Sequence, residues 1–289
     1  MKTGGILLAG GRGTRLYPNT KYINKHLMPM YDKPMIYYSL SIFLLSGIRN
    51  ITLVCNTGES DTFKKLLGDG SEFGIHIIYA EQNSPDGIPD AISKALNVER
   101  YEKFLVVLGD NFIFGEKFFT RFENIFESST NASIFTQNVN NPELFGVAQL
   151  HEDKLISIVE KPQKFISNKA IVGIYIFDDN FQSHFSKLQK SKRNEYEIID
   201  ILKSYGLNKI NHTFIGRGTA WFDMGSADDF LNCSYFIRTI QSRQGLLVCS
   251  PHEISYRNNW ITKKQLIDYI NSIANSEYSE NLLKIVNES

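Results

Sequence analysis

Cysteine is scarce. The 289 residues contain three, Cys55, Cys233 and Cys249, an odd number with no C-x-x-C pair. That excludes a disulfide framework and a cysteine-based structural zinc site, and it suits a reducing compartment, the cytoplasm. Net charge is also missing: Lys plus Arg number 31 and Asp plus Glu number 31. With no global field to attract nucleic acid or anionic lipid, neither is an expected partner, and any phosphate must be met locally. Long apolar runs are absent as well. The longest, residues 35–45, contains Tyr37, Tyr38, Ser39 and Ser41 and is too short and polar to span a bilayer. The N-terminus has a single Lys and a brief apolar run before Gly10-Gly11-Arg12, too little for a signal peptide. The histidines are scattered without H-E-x-x-H spacing, and no G-x-S-x-G elbow occurs, so a histidine-bound metal and a covalent nucleophile are not indicated.

What is present is an ordinary core-forming composition, 42% hydrophobic and 21% charged, which argues against disorder. Apolar runs at residues 5–9, 51–55, 75–79 and 104–108 alternate with amphipathic stretches at 34–45, 61–67, 88–96 and 118–128. Runs such as 104–108 lack polar alternation, as strands buried on both faces do. The reading is an α/β fold with a doubly wound, mainly parallel, Rossmann-like sheet. Shorter strand-like pieces at 133–136, 145–150, 155–159 and 171–177 read as a mixed extension of that sheet, and C-terminal helices follow at 196–205, 228–243 and, in two parts, 262–286. The expected organisation is an α/β domain over 1–245 and a C-terminal helical addition to it over 246–289. The tail's Leu266, Ile267, Ile270, Ile273, Leu282, Leu283 and Val286 form stripes that need burial, either over their own domain or against another subunit.

Chemistry concentrates at Leu8-Ala9-Gly10-Gly11-Arg12-Gly13-Thr14-Arg15-Leu16, directly after the first apolar run. Glycines let backbone N–H groups approach a phosphate, and Arg15 can add a bidentate contact. An isolated glycine-rich turn is as often a plain strand exit. A P-loop would need Gly-Lys-Ser/Thr, and a dinucleotide fingerprint a third Gly where Leu16 stands and an acid where Cys55 stands. Asp110, in Leu108-Gly109-Asp110-Asn111, and Asp223, before Met224-Gly225, both occupy strand exits, where an Asp either borders a ligand crevice or merely caps a turn. Two carboxylates with water and phosphate oxygens are the usual way to hold Mg²⁺ beside a nucleotide. Glu160-Lys161-Pro162 reads on its own as an exposed ion pair, which Pro162 keeps out of helix.

Gly10-Gly11-Arg12-Gly13-Thr14-Arg15-Leu16, followed by Lys25 and Pro29, resembles the signature of sugar-1-phosphate nucleotidylyltransferases. Tyr31-Asp32-Lys33-Pro34, Leu67-Gly68-Asp69-Gly70, Glu81-Gln82-Asn83-Ser84-Pro85-Asp86-Gly87, Glu160-Lys161-Pro162 and Gly218-Thr219-Ala220-Trp221-Phe222-Asp223 extend the likeness, toward the glucose-1-phosphate thymidylyltransferase branch. The resemblance implies an enzyme that joins dTTP and glucose 1-phosphate into dTDP-glucose with release of pyrophosphate, by direct in-line attack with Mg²⁺. It implies Arg15, Lys25 and Lys161 as catalytic residues. Leu8, Gly10, Gly11, Gly13, Thr14, Arg15, Gln82, Gly87 and Asp110 would bind the nucleotide. Leu108, Asn111, Gly146, Glu160, Lys161 and Ile171 would bind the sugar, and Asp110 and Asp223 the metal. It further implies a homotetramer or dimer, assembled in part through the tail. Two alternatives stand beside it: a related transferase using UTP, CTP or a modified hexose 1-phosphate, and a non-catalytic nucleotide-sugar binding or regulatory protein on the same fold. Two departures are visible. His26 stands where Gln is common, and Ile199 replaces a Thr, which either removes a hydroxyl from the sugar pocket or points into the helix-packing core.

Overall fold

The structure, a computed structural model, describes residues 2–127 and 131–288. Strand β1 (Thr3–Leu8) leads through the glycine turn and a small hairpin, β2 (Pro29–Met30) with β3 (Lys33–Pro34), into helix α1 (Met35–Leu45). Then come β4 (Asn50–Asn56), α2 (Ser60–Leu67), β5 (His76–Gln82), α3 (Ile88–Val98), β6 (Lys103–Leu108), β7 (Asn111–Phe114) and α4 (Glu116–Glu127). These are the four expected strand-helix units; of the helix read over 118–128, Ser128 lies outside the described residues. The extension comprises β8 (Ala132–Asn138), β9 (Gly146–His151), β10 (Lys154–Glu160) and β11 (Lys169–Asp178), then α5 (Phe181–Phe185), α6 (Ile198–Tyr205), β12 (Ile210–Phe214) and β13 (Ala220–Asp223). Helices α7 (Ala227–Gln244), α8 (Pro251–Arg257), α9 (Lys263–Ser272) and α10 (Glu277–Glu288) close the chain.

Among the described residues the main sheet runs β10-β9-β11-β6-β1-β4-β5, with β8 on β11 and β12 on β8. β6, β1, β4 and β5 are parallel, whereas β11 runs against β6, so the sheet is doubly wound with an antiparallel extension. Adjacent residues of a strand face opposite sides, and the core divides accordingly. Leu7, Leu53 and Leu105 pack with α1 and α2 on one face, while Ile6, Val54 and Phe104 pack with α3 and α6 on the other.

Helix α1 is apolar all round and is buried all round from Met35 to Leu44. Its two serines are fully enclosed and satisfied. Ser39 Oγ lies 2.7 Å from the Gly109 carbonyl and 2.9 Å from that of Asn111, and Ser41 Oγ lies 2.8 Å from the Tyr37 carbonyl and 2.9 Å from that of Cys249. Helix α9 starts with a capping box, Thr262 with Gln265, and α7 ends at Gly245 in the left-handed conformation. Leu266, Leu282, Ile285 and Val286 bury one another together with Leu247, Ile261 and Tyr278, so most of the tail's stripe closes within its own chain. No helix among the described residues is long and apolar enough to cross a membrane.

Candidate active site

β1 and β6 end level, and β4 runs two residues further. Register places Leu8 beside Val54 on one side and beside Leu108 on the other, and the chain leaves β1 in the glycine turn. Gly11 and Gly13 adopt φ of +98° and +58°, which L side chains resist. At Gly10 a Cβ would stand 2.1 Å from Gln82 Nε2, so a side chain there would displace the Gln82 amide. The N–H of Gly11 donates to Asn56 Oδ1 at 3.0 Å. Gly13 caps the short 3-10 turn Thr14–Leu16, which presents Arg15. The guanidinium of Arg15 lies on Gly225, where a Cβ would stand 2.7 Å from Nη2.

Two clefts open along this edge and share Gly87, Ile88, Leu108, Asp110 and Glu195. One contains Leu8, Gly10, Gly11, Lys25, His26 and Gln82. The other contains Arg15, Asn111, Gly146, Glu160, Lys161, Ile171 and Asp223. The expected site residues therefore gather in one place, except that Gly13 and Thr14 line neither cleft and that Arg15, expected with the nucleotide residues, lines only the cleft of the expected sugar residues.

Asp110 and Asp223 are brought together by a pairing the sequence does not announce. β13 runs antiparallel to β7 with Asp223 opposite Asn111, and Met224 N donates to the Asp110 carbonyl at 2.9 Å. The two carboxylates differ in state. Burial alone would raise the Asp110 carboxyl, but the paired Lys25 ammonium and the Asn111 amide, 3.2 Å away, hold it well below the usual carboxylate range. Burial and the neighbouring Asp110 push the Asp223 carboxyl up to about 6, against the pull of Arg15 and Lys25. No cluster of three or more His, Cys, Asp or Glu stands ready for a metal among the described residues. Two hard oxygen donors side by side, one of them paired with Lys25, do suit a divalent cation that keeps water and phosphate oxygens in its shell.

On the other side of the second cleft, Lys161 holds φ of +43°, and its N–H donates to the Phe145 carbonyl at 2.9 Å. A non-glycine residue in that region is strained, an arrangement found disproportionately at functional positions. Burial pushes the Glu160 carboxyl up, opposed by Lys161 and Arg193.

Several residues of the clefts carry no role in the sequence reading. Trp221 Nε1 donates to Asn111 Oδ1 at 2.7 Å, and its ring packs against Phe145. Arg193 bridges Glu197 (2.6 Å) and Glu160 (3.6 Å). Residues 191–197 form a strap across both clefts: Tyr196 N donates to the Asp86 carbonyl at 2.8 Å, and Gly87 packs so closely that a Cβ would stand 2.1 Å from Tyr196 O. Trp221 lies within residues 218–223, whose likeness to the family is visible, so that likeness is the available signal for it.

His26 is 1% exposed, with Nδ1 2.7 Å from Asn24 Oδ1. Burial and the adjacent Lys25 lower its pKa to about 3, so the ring is neutral. Ile199, 2% exposed, is not a lining residue. Its Cδ1 sits behind Gly146, 3.2 Å from where a Cβ would be, so of the two orientations it takes the one facing the core.

Fold and site together define the class: an α/β transferase with adjoining clefts for phosphorylated ligands at the carboxyl edge of its parallel strands. Residues 4–240 match the family described as nucleotidyl transferase, and the chain belongs to that family. It is 38% identical over 284 residues to a glucose-1-phosphate thymidylyltransferase of Neisseria meningitidis, covering 98% of this chain and 99% of the relative. An enzyme of the same name from Xanthomonas campestris is 40% identical over 280 residues, covering 96% and 95%. Among solved structures, a Bacillus anthracis protein provisionally assigned as a glucose-1-phosphate thymidylyltransferase, in complex with sucrose, aligns with a TM-score of 0.74 and 32% identity, covering 82% of this chain and 95% of that one. A UDP-glucose pyrophosphorylase with UDP-glucose shares the fold, at a TM-score of 0.70 and 22% identity over 83% of this chain and 99% of that one.

Proposed function

We propose that this enzyme transfers a thymidylyl group from dTTP to glucose 1-phosphate. A phosphate oxygen of the sugar phosphate forms a bond to the α-phosphorus of dTTP, the bond from that phosphorus to the bridging oxygen breaks, and pyrophosphate leaves with the electron pair. The products are dTDP-glucose and pyrophosphate. The observation that carries the reading is the meeting of the two clefts at Leu108 and Asp110, with cationic side chains on either side. Relatives similar over nearly the whole chain, and named for this reaction, support the choice of substrates.

Each residue has a role in this scheme. Gln82 and Gly87 meet the base edge, and Leu8 and Gly10 the nucleoside. Gly11, Gly13 and Thr14 shape the turn around the phosphates, Arg15 takes the leaving phosphates, and Lys25 the phosphate under attack. Lys161 receives the nucleophilic phosphate and Glu160 accepts from sugar hydroxyls, while Leu108, Asn111, Gly146 and Ile171 line the sugar. Such chemistry asks the protein for alignment and charge neutralisation. Members of the family use a divalent metal. Asp110 and Asp223 would hold it here, as Mg²⁺, and it would supply charge neutralisation on the phosphates. The enzyme acts in the cytoplasm as a homotetramer or dimer.

Pyrophosphate release measured over a grid of four nucleoside triphosphates and several sugar 1-phosphates tests the reading. Highest kcat/KM for dTTP with glucose 1-phosphate is expected. A preference for UTP or CTP would reassign the substrates, and no turnover with any pair would favour a binding protein.

A further inference from the structure

One carboxylate that lines neither cleft is bonded to both of the segments that build the nucleotide side. Glu59 occupies the N-cap position of α2 yet makes no side-chain bond to the helix. Its Oε2 instead accepts from Asn24 Nδ2 at 2.7 Å and from Asn56 Nδ2 at 3.0 Å. Each amide gives its other hydrogen to the glycine turn, Asn24 to the Ala9 carbonyl at 2.9 Å and Asn56 to the Gly11 carbonyl at 3.2 Å.

A carboxylate of this kind can only accept, so both amides must turn their NH₂ groups toward it. That leaves Asn56 Oδ1 facing the Gly11 N–H at 3.0 Å and Gln82 Nε2 at 3.4 Å. It likewise leaves Asn24 Oδ1 to accept from the backbone N–H of His26 at 2.9 Å, capping the turn Lys25–Leu27. The Glu59 oxygen thus acts with the Ala9 and Gly11 carbonyls to fix both amides, and it ties the Asn56 side, with Gln82 and the glycine turn, to the Asn24 side, with the turn that carries Lys25.

We propose that Glu59 is a positioning residue for the nucleotide cleft: by bridging the Asn24 and Asn56 amides it holds the glycine turn and Lys25 in the register a triphosphate requires. The proposal rests on the nucleotidyl-transfer reading of the site. Glu59 touches no reacting atom, so its removal acts through others.

Kinetics of Glu59→Ala and Glu59→Gln test it, using whichever triphosphate the wild type turns over fastest. A different base preference would then overturn the thymidylyl reading and leave this test intact. Calorimetric binding of the triphosphate reads the same contrast without turnover. Glu59→Ala should lower kcat/KM for the triphosphate about 10- to 100-fold, because it frees two amides at once, while KM for the sugar phosphate changes less than about twofold. Glu59→Gln, whose Oε1 can accept from both amides, should recover to within about fivefold of wild type. The proposal is overturned by a Glu59→Ala enzyme within about twofold of wild type toward the triphosphate, by an equal loss toward the sugar phosphate, or by a Gln variant no better than Ala. Should Glu59→Ala not fold, Asn56→Ala, which removes one branch, should show a smaller loss of at least about threefold toward the triphosphate with KM for the sugar phosphate unchanged within about twofold, and no such loss would overturn the proposal.

Discussion

Replacing Asp223 with Asn should make the protein more stable and stop it turning over. Burial and Asp110 raise the Asp223 carboxyl from an ordinary 3.8 to about 6. A raised acid pKa means that folding favours the protonated form. Below about pH 4 the carboxyl is protonated in folded and unfolded chains alike, and Asn gains nothing. Between about 4 and 6 the unfolded chain ionises while the folded one keeps its proton, so the wild type loses stability. Above about 6 the deficit is constant. A carboxyl displaced that far costs the folded state about 3 kcal/mol at most, and with partial solvation about 1–3 kcal/mol, or roughly 2–6 °C in Tm for a chain this size. Thermal unfolding with a chelator at pH 8 and at pH 4.5 reads it directly: Asp223→Asn should melt higher at both, by a clearly smaller margin at pH 4.5, where only part of the deficit has developed. Added Mg²⁺ should stabilise the wild type more than the variant and narrow the gap, because binding to the folded state adds to its stability. Turnover should fall by orders of magnitude. A variant that melts below wild type at pH 8 without metal, or a gap independent of pH, would refute the reasoning.

Asp110→Asn should run the other way. It leaves Lys25, with a side chain 14% exposed, unpartnered, and breaking such a buried pair costs about 3–5 kcal/mol, so a lowered Tm with lost activity is the outcome to check in the same melts. Lys25→Ala should depress kcat, whereas Lys161→Ala should raise KM for the sugar phosphate more than for the nucleotide; weakened nucleotide binding alone would exchange their roles. Ile199→Thr should leave the kcat/KM ratio between glucose 1-phosphate and its 6-deoxy analogue unchanged, since the side chain lies behind Gly146, while lowering stability by about 1–3 kcal/mol through a buried hydroxyl; a changed ratio would put residue 199 in the pocket. Gly225→Ala should push Arg15 off its bed and raise KM for the triphosphate, readable by steady-state kinetics, with little change in Tm.

Legibility in the sequence follows how local the governing physics is. The glycine turn, Lys25 after Asn24 and the carboxylate at the exit of β6 are readable because each is set by a few neighbouring residues. The apolar run of α1 is readable as a buried element, but its serines are not, since the carbonyls of Gly109 and Cys249 that receive them come from distant parts of the chain. The pairing of β13 with β7 has no local signal, and it is what turns Asp223 from a plausible cap into a neighbour of Asp110. Ile199 shows the limit from the other side: comparison with the family exposes the substitution, and only packing shows which way the side chain goes.

The strap over residues 191–197 has a bearing on redesign. Glu195 faces both clefts, and Tyr196 is locked to the Asp86–Gly87 loop. On the proposed assignment of the clefts, a library built there to broaden sugar scope should drift in base preference too, because one backbone segment borders both. Leu144 and Phe145 border only the cleft assigned to the sugar, and Pro85 and Ala91 only the one assigned to the nucleotide. Those are the positions at which the two specificities can be evolved separately and recombined afterwards.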